Sequence, residues 1–230
     1  MATQIHHVVN ELRRRIGSGA YAPGERLVEL QVSAELGVSR TPIRLAFEEL
    51  TKEGWLERLP TRGFRVKDFS PSDLADAIDV RGTLEGMAAR LAAERGLSVI
   101  DRDVMQACVA EGRDLLSEAS LDQRTLDAPR WVAMNARFHA TLIRASGNNA
   151  LASATTLIAK MPLAGAAALS LHGIAPKLEY AFIERAQQDH EDILAAIVAG
   201  ESSRAESLMR EHARRSRDNK RVLLTGPLEH

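Results

Sequence analysis

Residues 35–44, with the sequence ELGVSRTPIR, decide the fold of the first part of the chain, because they have the pattern of a tight turn between two short helices. Gly37 supplies the positive-φ or closely packed conformation that a sharp turn between helices requires. Ser39 is a favourable N-cap residue, and Pro42 is tolerated in the first helical turn, where its missing N–H is not needed. The stretch therefore predicts a helix-turn-helix whose second helix begins near Arg40.

The polar side chains of this stretch gather at the start of the second helix. Apolar residues on both sides of the turn can face a small core, which leaves Arg40, Thr41 and Arg44 exposed at the N-terminal end of the helix. A helix with its polar side chains at this end suits the reading of base edges in the DNA major groove. The same residues also fit an ordinary solvated helix, so the stretch alone leaves both interpretations open.

The segments around this turn complete a winged helix. The predicted elements are helices over residues ~4–17, 29–36 and ~40–53 and extended segments over residues 55–58 and 64–66. The two extended segments are joined by a hairpin-type connection over residues 60–63, so the wing is predicted to be two-stranded. Its tip, with Arg62 and Gly63, is small and basic, which suits contact with a phosphate backbone or a minor groove.

Everything after residue 69 has the pattern of helices. The predicted helices cover residues ~71–95, ~99–118, ~128–146, ~150–171, ~176–199 and ~202–224. Pro162 is expected to kink or break the fourth of them. The chain is therefore predicted to be mainly α, with an N-terminal winged helix-turn-helix domain over residues 1–69 and an all-helical bundle of about six helices over residues 70–227. Residues 228–230 are interpreted as a tag remnant.

Composition and charge exclude several classes of protein. The 230 residues suffice for two modest domains, and 45% hydrophobic with only 4% aromatic residues predicts an aliphatic core. No apolar run approaches the ~18–20 residues of a membrane span, and the signal-peptide pattern is missing. Cys108 is the single cysteine, so an internal disulfide is excluded and a cytoplasmic protein without a membrane partner is expected. The net charge is −1, split as +2 over residues 1–69 and −3 over residues 70–230, which by itself does not indicate nucleic acid.

Three histidines of the predicted bundle are placed so that they could meet. His190 lies ten residues before Gly200 and His212 twelve residues after it, so a helical hairpin that turns at Gly200 would bring both imidazoles to a similar height. Asn135 and His139 are four residues apart and share a helix face. Neutral imidazoles at one level inside an apolar bundle suit a divalent transition metal, whereas separate, hydrogen-bonded or solvated histidines are the simpler alternative.

Arg81 and Glu85 form a further pair, four residues apart on the first predicted helix of the bundle. One interpretation is a surface ion pair worth about a few tenths of a kcal/mol, in the less favourable order with arginine first. The other is a guanidinium that faces a cavity, where its planar shape suits a carboxylate. The spacing is compatible with both.

Four motifs of the first domain together resemble a known family. They are PGERL at residues 23–27, LGVSRTPIR at 36–44, EGWL at 53–56 and TRGFRV at 61–66. In this order and spacing they resemble the GntR family of bacterial transcription regulators over residues ~5–68. The resemblance implies that the side chains at the start of the second helix of the turn reach bases and phosphates, and that the wing glycine enters the minor groove. The predicted DNA-contacting set is Ser39, Arg40, Thr41, Arg44, Arg62 and Gly63.

The bundle has motifs of its own, namely NxxFH at residues 135–139 and single histidines at 190 and 212 with apolar neighbours at fixed spacing. They resemble the FCD ligand-binding domain of the FadR subfamily over residues ~70–224. The resemblance implies a divalent metal (zinc, nickel or manganese) bound by His139, His190 and His212, with position 135 as a further ligand. Related domains commonly carry aspartate there, whereas Asn135 offers a carbonyl oxygen without charge, so weaker metal binding or greater reliance on an anionic effector is expected. The resemblance also implies that Arg81 helps to hold an acidic effector.

The leading hypothesis is therefore a dimeric, ligand-responsive transcription factor, most often a repressor. Two winged helices would read a palindromic operator, and a small carboxylic or sugar acid would be the effector. A metal-dependent hydrolase built on the three histidines is the alternative. It is disfavoured because no acidic general base stands at a recognisable spacing from the ligands, such as His-Glu-x-x-His. A purely structural metal site within a DNA-binding protein is the third hypothesis.

Overall fold

The computed structural model describes residues 2–60, 63–68, 70–121, 126–161 and 176–225. These residues divide into two compact units. The first contains the described residues up to Ser70 together with the segment at Lys160, and the second contains those from Pro71 to Ala159 and from Pro176 onward. Each unit has its own hydrophobic core.

The first unit contains the three helices and the short strands of a winged helix. Its elements in chain order are α1 (Ala2–Gly17), β1 (Arg26–Leu27), α2 (Glu29–Leu36), α3 (Arg40–Lys52), β2 (Leu56–Arg58) and β3 (Phe64–Val66). The apolar faces of α1 and α3 pack against each other and bury Leu12, Ile43, Phe47 and Leu50 completely. The winged helix-turn-helix predicted from the sequence is confirmed.

The turn between α2 and α3 depends on Gly37. Its φ of 64° lies in the left-handed region, and its N–H donates to the carbonyl oxygen of Ser33, which closes α2. Ser39 occupies the N-cap position with an extended backbone, but its side chain makes no capping hydrogen bond. Ser39 therefore occupies the predicted N-cap position, but it does not cap the helix with its side chain. Burial of Pro42 and Ile43 fixes the start of α3 instead.

The wing belongs to a three-stranded antiparallel sheet with the strand order β1-β3-β2. Leu27 of β1 pairs with Phe64, and Leu56 of β2 pairs with Val66. The predicted two-stranded hairpin was incomplete, because the two residues of β1 are too few to show the alternation of a strand in the sequence. The additional strand places Arg26 beside the wing.

The second unit is an all-helical bundle over the described residues. Its elements are α4 (Pro71–Arg95), α5 (Val99–Leu121), α6 (Ala128–Ala145), α7 (Asn149–Ala159), α8 (Pro176–Val198) and α9 (Ser202–Thr225). Its buried core is mostly aliphatic, with Trp131 and Phe138 as the aromatic members. The predicted bundle of about six helices is confirmed. None of the helices in the described part of the chain combines the length and the apolar character needed to cross a lipid bilayer.

One predicted helix is shorter than expected. Helix α7 ends at Ala159, whereas the sequence pattern predicted a helix to about residue 171. Proline disfavours helical backbone at the residue before it. The end of α7 a few residues ahead of Pro162 agrees with this effect. The kink expected at Pro162 itself lies outside the described residues.

Helices α4 and α9 approach closely because small residues face each other. A Cβ added to Gly82 would lie 2.5 Å from Cβ of Ala213, and one added to Gly86 would lie 2.6 Å from Cγ of Arg210. Contacts this short do not occur between real side chains, so the observed packing requires glycine at position 82, whereas at position 86 the side chain of Arg210 would have to move.

Replacement of Gly82 by alanine is expected to destabilise the second unit by about 1–3 kcal/mol, because the new methyl group would overlap Ala213 in a packed interface. Gly86→Ala is expected to cost less, because the flexible side chain of Arg210, which is 47% exposed, can move aside. Urea unfolding followed by circular dichroism measures both variants against the wild type. A Gly82→Ala variant as stable as the wild type would show that the two helices do not pack this closely.

Candidate nucleic-acid interface and metal centre

At its N-terminal end, helix α3 exposes polar side chains to solvent and buries apolar ones. Ser39, Arg40, Thr41 and Arg44 are all exposed. The intervening residues turn inward and join the core of the first unit. The polar residues singled out in the sequence are therefore available to a partner.

Arg40 and Arg44 line a groove of the first unit together with Gly63 of the wing. The same groove is lined by Arg26 of β1 and Arg58 of β2, which sequence analysis did not single out. They stand in the two strands on either side of β3, and only the folded sheet brings them to the same groove as α3. The described lining thus brings arginines from three elements together.

Two glutamates partly neutralise this groove. Nη2 of Arg40 lies 3.3 Å from Oε2 of Glu29, and Arg58 donates a hydrogen bond to Glu48. The side chain of Arg40 is 66% exposed, so its contact with Glu29 is a weak surface ion pair. A phosphate or a base edge can replace the carboxylate at little cost.

The wing turns at Gly63, whose φ of 99° favours glycine. A Cβ at this position would lie 3.5 Å from Nε of Arg26, which is an ordinary contact, so the backbone conformation and not lack of space requires glycine. Arg62, the other residue predicted at the wing tip, lies outside the described residues. Ser39 and Thr41 are exposed at the same end of α3 but do not belong to the described lining of the groove.

In the second unit, α6, α8 and α9 bring three buried histidines together. One ligand atom from each of His139, His190 and His212 lies within 4.8 Å of those of the other two. The ring centroids of His190 and His212 are 4.8 Å apart, and His139 lies 5.4 Å from each. Helices α8 and α9 join through Gly200, whose φ is 72°, so this hairpin supplies two of the three rings and α6 supplies the third.

His190 is the most deeply buried of the three. Its ring stacks on Phe138 at 4.3 Å and on Trp131 at 6.0 Å between centroids. Neither of its ring nitrogens has a hydrogen-bond partner among the described residues. Burial, together with the neighbouring His212 and His139, holds the pKa of His190 well below its usual value, so the ring is neutral at physiological pH. A buried polar atom without a hydrogen-bond partner lowers the stability of the fold by about 1–3 kcal/mol, so a ligand that binds this ring would recover that free energy.

Two carboxylates lie against the other two histidines. Oε2 of Glu85 lies 3.2 Å from Nδ1 of His139, and Oδ2 of Asp189 lies 3.3 Å from Nδ1 of His212. The hydrogen bond of Asp189 at Nδ1 of His212 favours the tautomer whose Nε2 carries a free lone pair, which is the form that binds a metal, whereas Glu85 lies near His139 without the geometry of a hydrogen bond. Sequence analysis missed Asp189, whose only signal is that it directly precedes His190.

Both carboxylates are ionised despite their burial. Burial by itself would raise the pKa of Asp189, but its hydrogen bond with His212 helps to hold the pKa below its usual value. Burial likewise opposes ionisation of Glu85, whereas His139 and Arg81 beside it lower its pKa. The site therefore places negative charge behind imidazole nitrogens, which favours a bound cation.

A cavity of about 70 Å³ opens beside the histidines. Its lining includes His139, His212, Asn135 and Arg81. Asn135 is half-buried, one helical turn before His139 on α6. A cavity of this size holds a few water molecules or a small anion. The structure thus brings Asn135 and Arg81, both singled out in the sequence, to the same cavity as two of the histidines.

The pair of Arg81 and Glu85 is buried. Nε of Arg81 lies 3.7 Å from Oε2 of Glu85, and the side chains are 3% and 2% exposed. The interpretation as a surface ion pair was therefore wrong, because α9 packs along α4 and covers this face. Glu85 lies between a cation that lines the cavity and a histidine of the triad.

The carboxylates also bear on the hydrolase alternative, which sequence analysis disfavoured for lack of an acidic base. The structure does place Glu85 and Asp189 next to the histidines. Each, however, lies against an Nδ1 atom, and Asp189 also accepts from Arg215 at 2.8 Å. Asp189 lines the cavity, but its oxygens are held by His212 and Arg215, and Glu85 does not belong to the described lining.

Comparison with known proteins identifies both units. Residues 4–66 match the family described as "Bacterial regulatory proteins, gntR family", and residues 76–215 match the "FCD domain". The chain is 30% identical over 203 residues to the "Probable D-xylose utilization operon transcriptional repressor" of Paenarthrobacter nicotinovorans, with 86% of this chain and 80% of the relative covered. It is 25% identical over 201 residues to the "HTH-type transcriptional repressor GlaR" of Escherichia coli K12, with 87% and 88% covered.

A solved structure shows the same fold. The chain is similar to "E. coli McbR/YncC" with a TM-score of 0.69 and 22% identity, and 97% and 98% of the two chains are covered. The two family matches occur in the order of the two units and together span most of the sequence. The chain therefore belongs to the GntR family of bacterial transcription regulators, in which its winged helix is followed by an FCD domain.

Proposed function

We propose that this regulator represses transcription by binding a palindromic operator as a homodimer, in response to a small carboxylic or sugar acid. The exposed arginines at the N-terminal end of α3 are the observation that carries the DNA-binding part. One winged helix reads one half-site, and two-fold symmetry of the protein matches a palindrome. Two relatives are named as repressors, which supports this direction of regulation.

In this proposal α3 enters the major groove and the wing follows the neighbouring minor groove. Guanidinium groups at the start of α3 suit guanine edges and phosphates, and hydroxyl groups beside them add phosphate contacts. The small wing tip lets the backbone approach the DNA closely. The proposed contacts are made by Ser39, Arg40, Thr41, Arg44, Arg62 and Gly63.

The two functions are assigned to different parts of the chain. Residues 1–69 are proposed to bind DNA, and residues 70–227 are proposed to bind the effector and to form the dimer. Size-exclusion chromatography with light scattering tests the dimer directly.

We further propose that His139, His190 and His212 bind a divalent metal, with Asn135 as a weak fourth ligand. Support comes from the two nitrogens of His190 that lack a partner among the described residues, and from the carboxylates behind the other two rings. Zinc, nickel and manganese are the candidates, and imidazole donors favour the first two. When bound, the metal supplies positive charge that attracts the carboxylate of an effector.

The effector is proposed to occupy the cavity beside the histidines. Arg81 lines this cavity, and its guanidinium suits a carboxylate. The volume of about 70 Å³ admits only a small acid without movement of the helices. A larger sugar acid would have to push the helices apart, which would couple binding to the position of α9.

Gel-shift titration tests these assignments. The operator is first selected from random DNA, and a panel of small carboxylic and sugar acids is then added to the complex. Equal binding to all DNA at physiological salt would contradict the DNA-binding assignment. A response to an acid that disappears after chelation and returns with zinc supports the metal-dependent sensor, whereas an unchanged response would contradict the role of the metal in sensing.

Asn135→Asp is expected to raise the affinity for zinc by about tenfold or more, because a carboxylate replaces a neutral carbonyl next to a doubly charged ion. Isothermal titration with zinc after chelation measures this change. Asn219→Asp is the matched control, since Asn219 lines the same cavity but is not a proposed ligand. Equal gains in both variants would mean that charge in the cavity, and not ligation at position 135, is responsible.

A further inference from the structure

An exposed leucine lies among the arginines of the groove in the first unit. Leu30, in the first turn of α2, is 65% exposed, and Val28, just before α2, is 38% exposed. Both line the groove that Arg40, Arg44 and Gly63 also line. In the described part of the first unit, Leu30 is the most exposed large hydrophobic residue.

Packing within the unit does not account for Leu30. Helix α2 buries Val32 in the core, and residues two positions apart lie on nearly opposite faces of a helix. Single exposed leucines are common on protein surfaces and need no explanation by themselves. Leu30 differs because its surroundings are basic and, in the proposed function, face DNA.

We infer that Leu30 reads the methyl group of a thymine in each operator half-site, an inference that rests on the proposed DNA binding. The C5-methyl group of thymine is the apolar group that bases present in the major groove, and apolar side chains recognise it by contact. The arginines of the same groove bind phosphates and guanine edges. They bring the apolar patch of Leu30 and Val28 against the base edges and exclude water from it.

A competing role for Leu30 is contact with deoxyribose, which would add affinity without any preference for a base. The two roles differ in one chemical group. Replacement of thymine by deoxyuridine removes only the methyl group and leaves base pairing and the sugar unchanged. Sensitivity to this replacement therefore separates base reading from backbone contact.

The test uses the full-length protein and an operator selected from random DNA. Each thymine is replaced by deoxyuridine, one symmetric pair of positions at a time, and Kd is measured by fluorescence anisotropy. At one position the wild type is expected to lose affinity about fourfold in each half-site, which corresponds to the burial of one methyl group. The two half-sites of the dimer together give a loss of roughly 15-fold. Leu30→Ala is expected to reduce this loss to less than about twofold at the same position.

Two further variants make the result specific. Leu30→Met keeps an apolar side chain and is expected to retain the thymine preference. Leu45→Ala is the matched control, because Leu45 is 41% exposed on α3 and does not belong to the described lining of the groove. It should behave as the wild type. Thermal melting of the two Leu30 variants is expected to be unchanged, because Leu30 packs little of its surface against the protein.

The inference is overturned if no thymine shows a methyl effect that depends on Leu30, or if Leu45→Ala removes the effect equally well. Failure of the selection to enrich any sequence would instead contradict the proposed function, and the inference would fall with it. A methyl effect that Leu30→Ala removes and Leu30→Met retains establishes Leu30 as a base-reading residue.

Discussion

Replacement of Arg40 by alanine is expected to weaken operator binding by about 1–3 kcal/mol in each half-site and to relax the base preference at one position. Arg40 is exposed, and its guanidinium contacts Glu29 at 3.3 Å in a weak surface ion pair, so its loss is expected to remove the proposed DNA contact without disturbing the fold. A dimer carries two copies, so the affinity for the operator is expected to fall roughly 30-fold or more. Fluorescence anisotropy with operator and scrambled DNA measures both the loss and the change in preference.

Lys67→Ala is the control for this experiment. Lys67 is exposed just after the wing and is not among the residues proposed to read bases. Its loss is expected to weaken binding to operator and scrambled DNA by the same factor and to reduce the salt dependence of both, because a phosphate contact is blind to sequence. If Arg40→Ala also weakened both DNAs equally, the assignment of Arg40 as a base-reading residue would be wrong.

Replacement of His190 by alanine is expected to abolish metal binding. The three histidines contribute ligand atoms within 4.8 Å of one another, so loss of one leaves two donors and an apolar gap. The affinity for zinc should fall by more than the roughly 10- to 100-fold that loss of an outer-shell partner costs. Metal analysis of protein without residues 228–230, which removes His230 as a competing ligand, measures the content of wild type and variant.

Thermal melting gives an independent readout of the same site. Zinc at about 100 times Kd is expected to raise the melting temperature of the second unit by about 5–10 °C in the wild type and not in His190→Ala. His6→Ala is the matched control, because His6 is exposed on α1 and belongs to the other unit. A wild-type protein that takes up no metal and melts at the same temperature with zinc would refute the metal site.

The winged helix could be predicted because its signals are local. Gly37 adopts the positive φ of 64° that its position between two helices predicted. Strand β1 could not be predicted, since Leu27 pairs with Phe64 and two residues carry no periodicity of their own. The cap at Ser39 failed for a similar reason, because burial of neighbouring residues and not a side-chain hydrogen bond starts α3.

The meeting of the histidines was partly predictable as well. The constant rise of an α-helix brings residues at equal distances from a hairpin turn to equal heights, so His190 and His212 could be expected near each other around Gly200. Their mutual distance of 4.8 Å between centroids also requires that both rings face inward. Spacing along the chain predicts the height of a side chain, but the rotation of a helix about its axis comes from the residues that it packs against.

The amino-acid sequence by itself determined where most of the helices lie, which end of α3 is polar and which residues could meet at the histidines, because periodicity and turns act over a few neighbouring residues. Only the tertiary structure decided that Asp189 contacts His212, 23 residues away, and that Glu85 lies against His139 on another helix. Such contacts depend on the rotation and depth of packed helices. Gly82 is an example, because its missing side chain lets α9 approach α4 closely at Ala213.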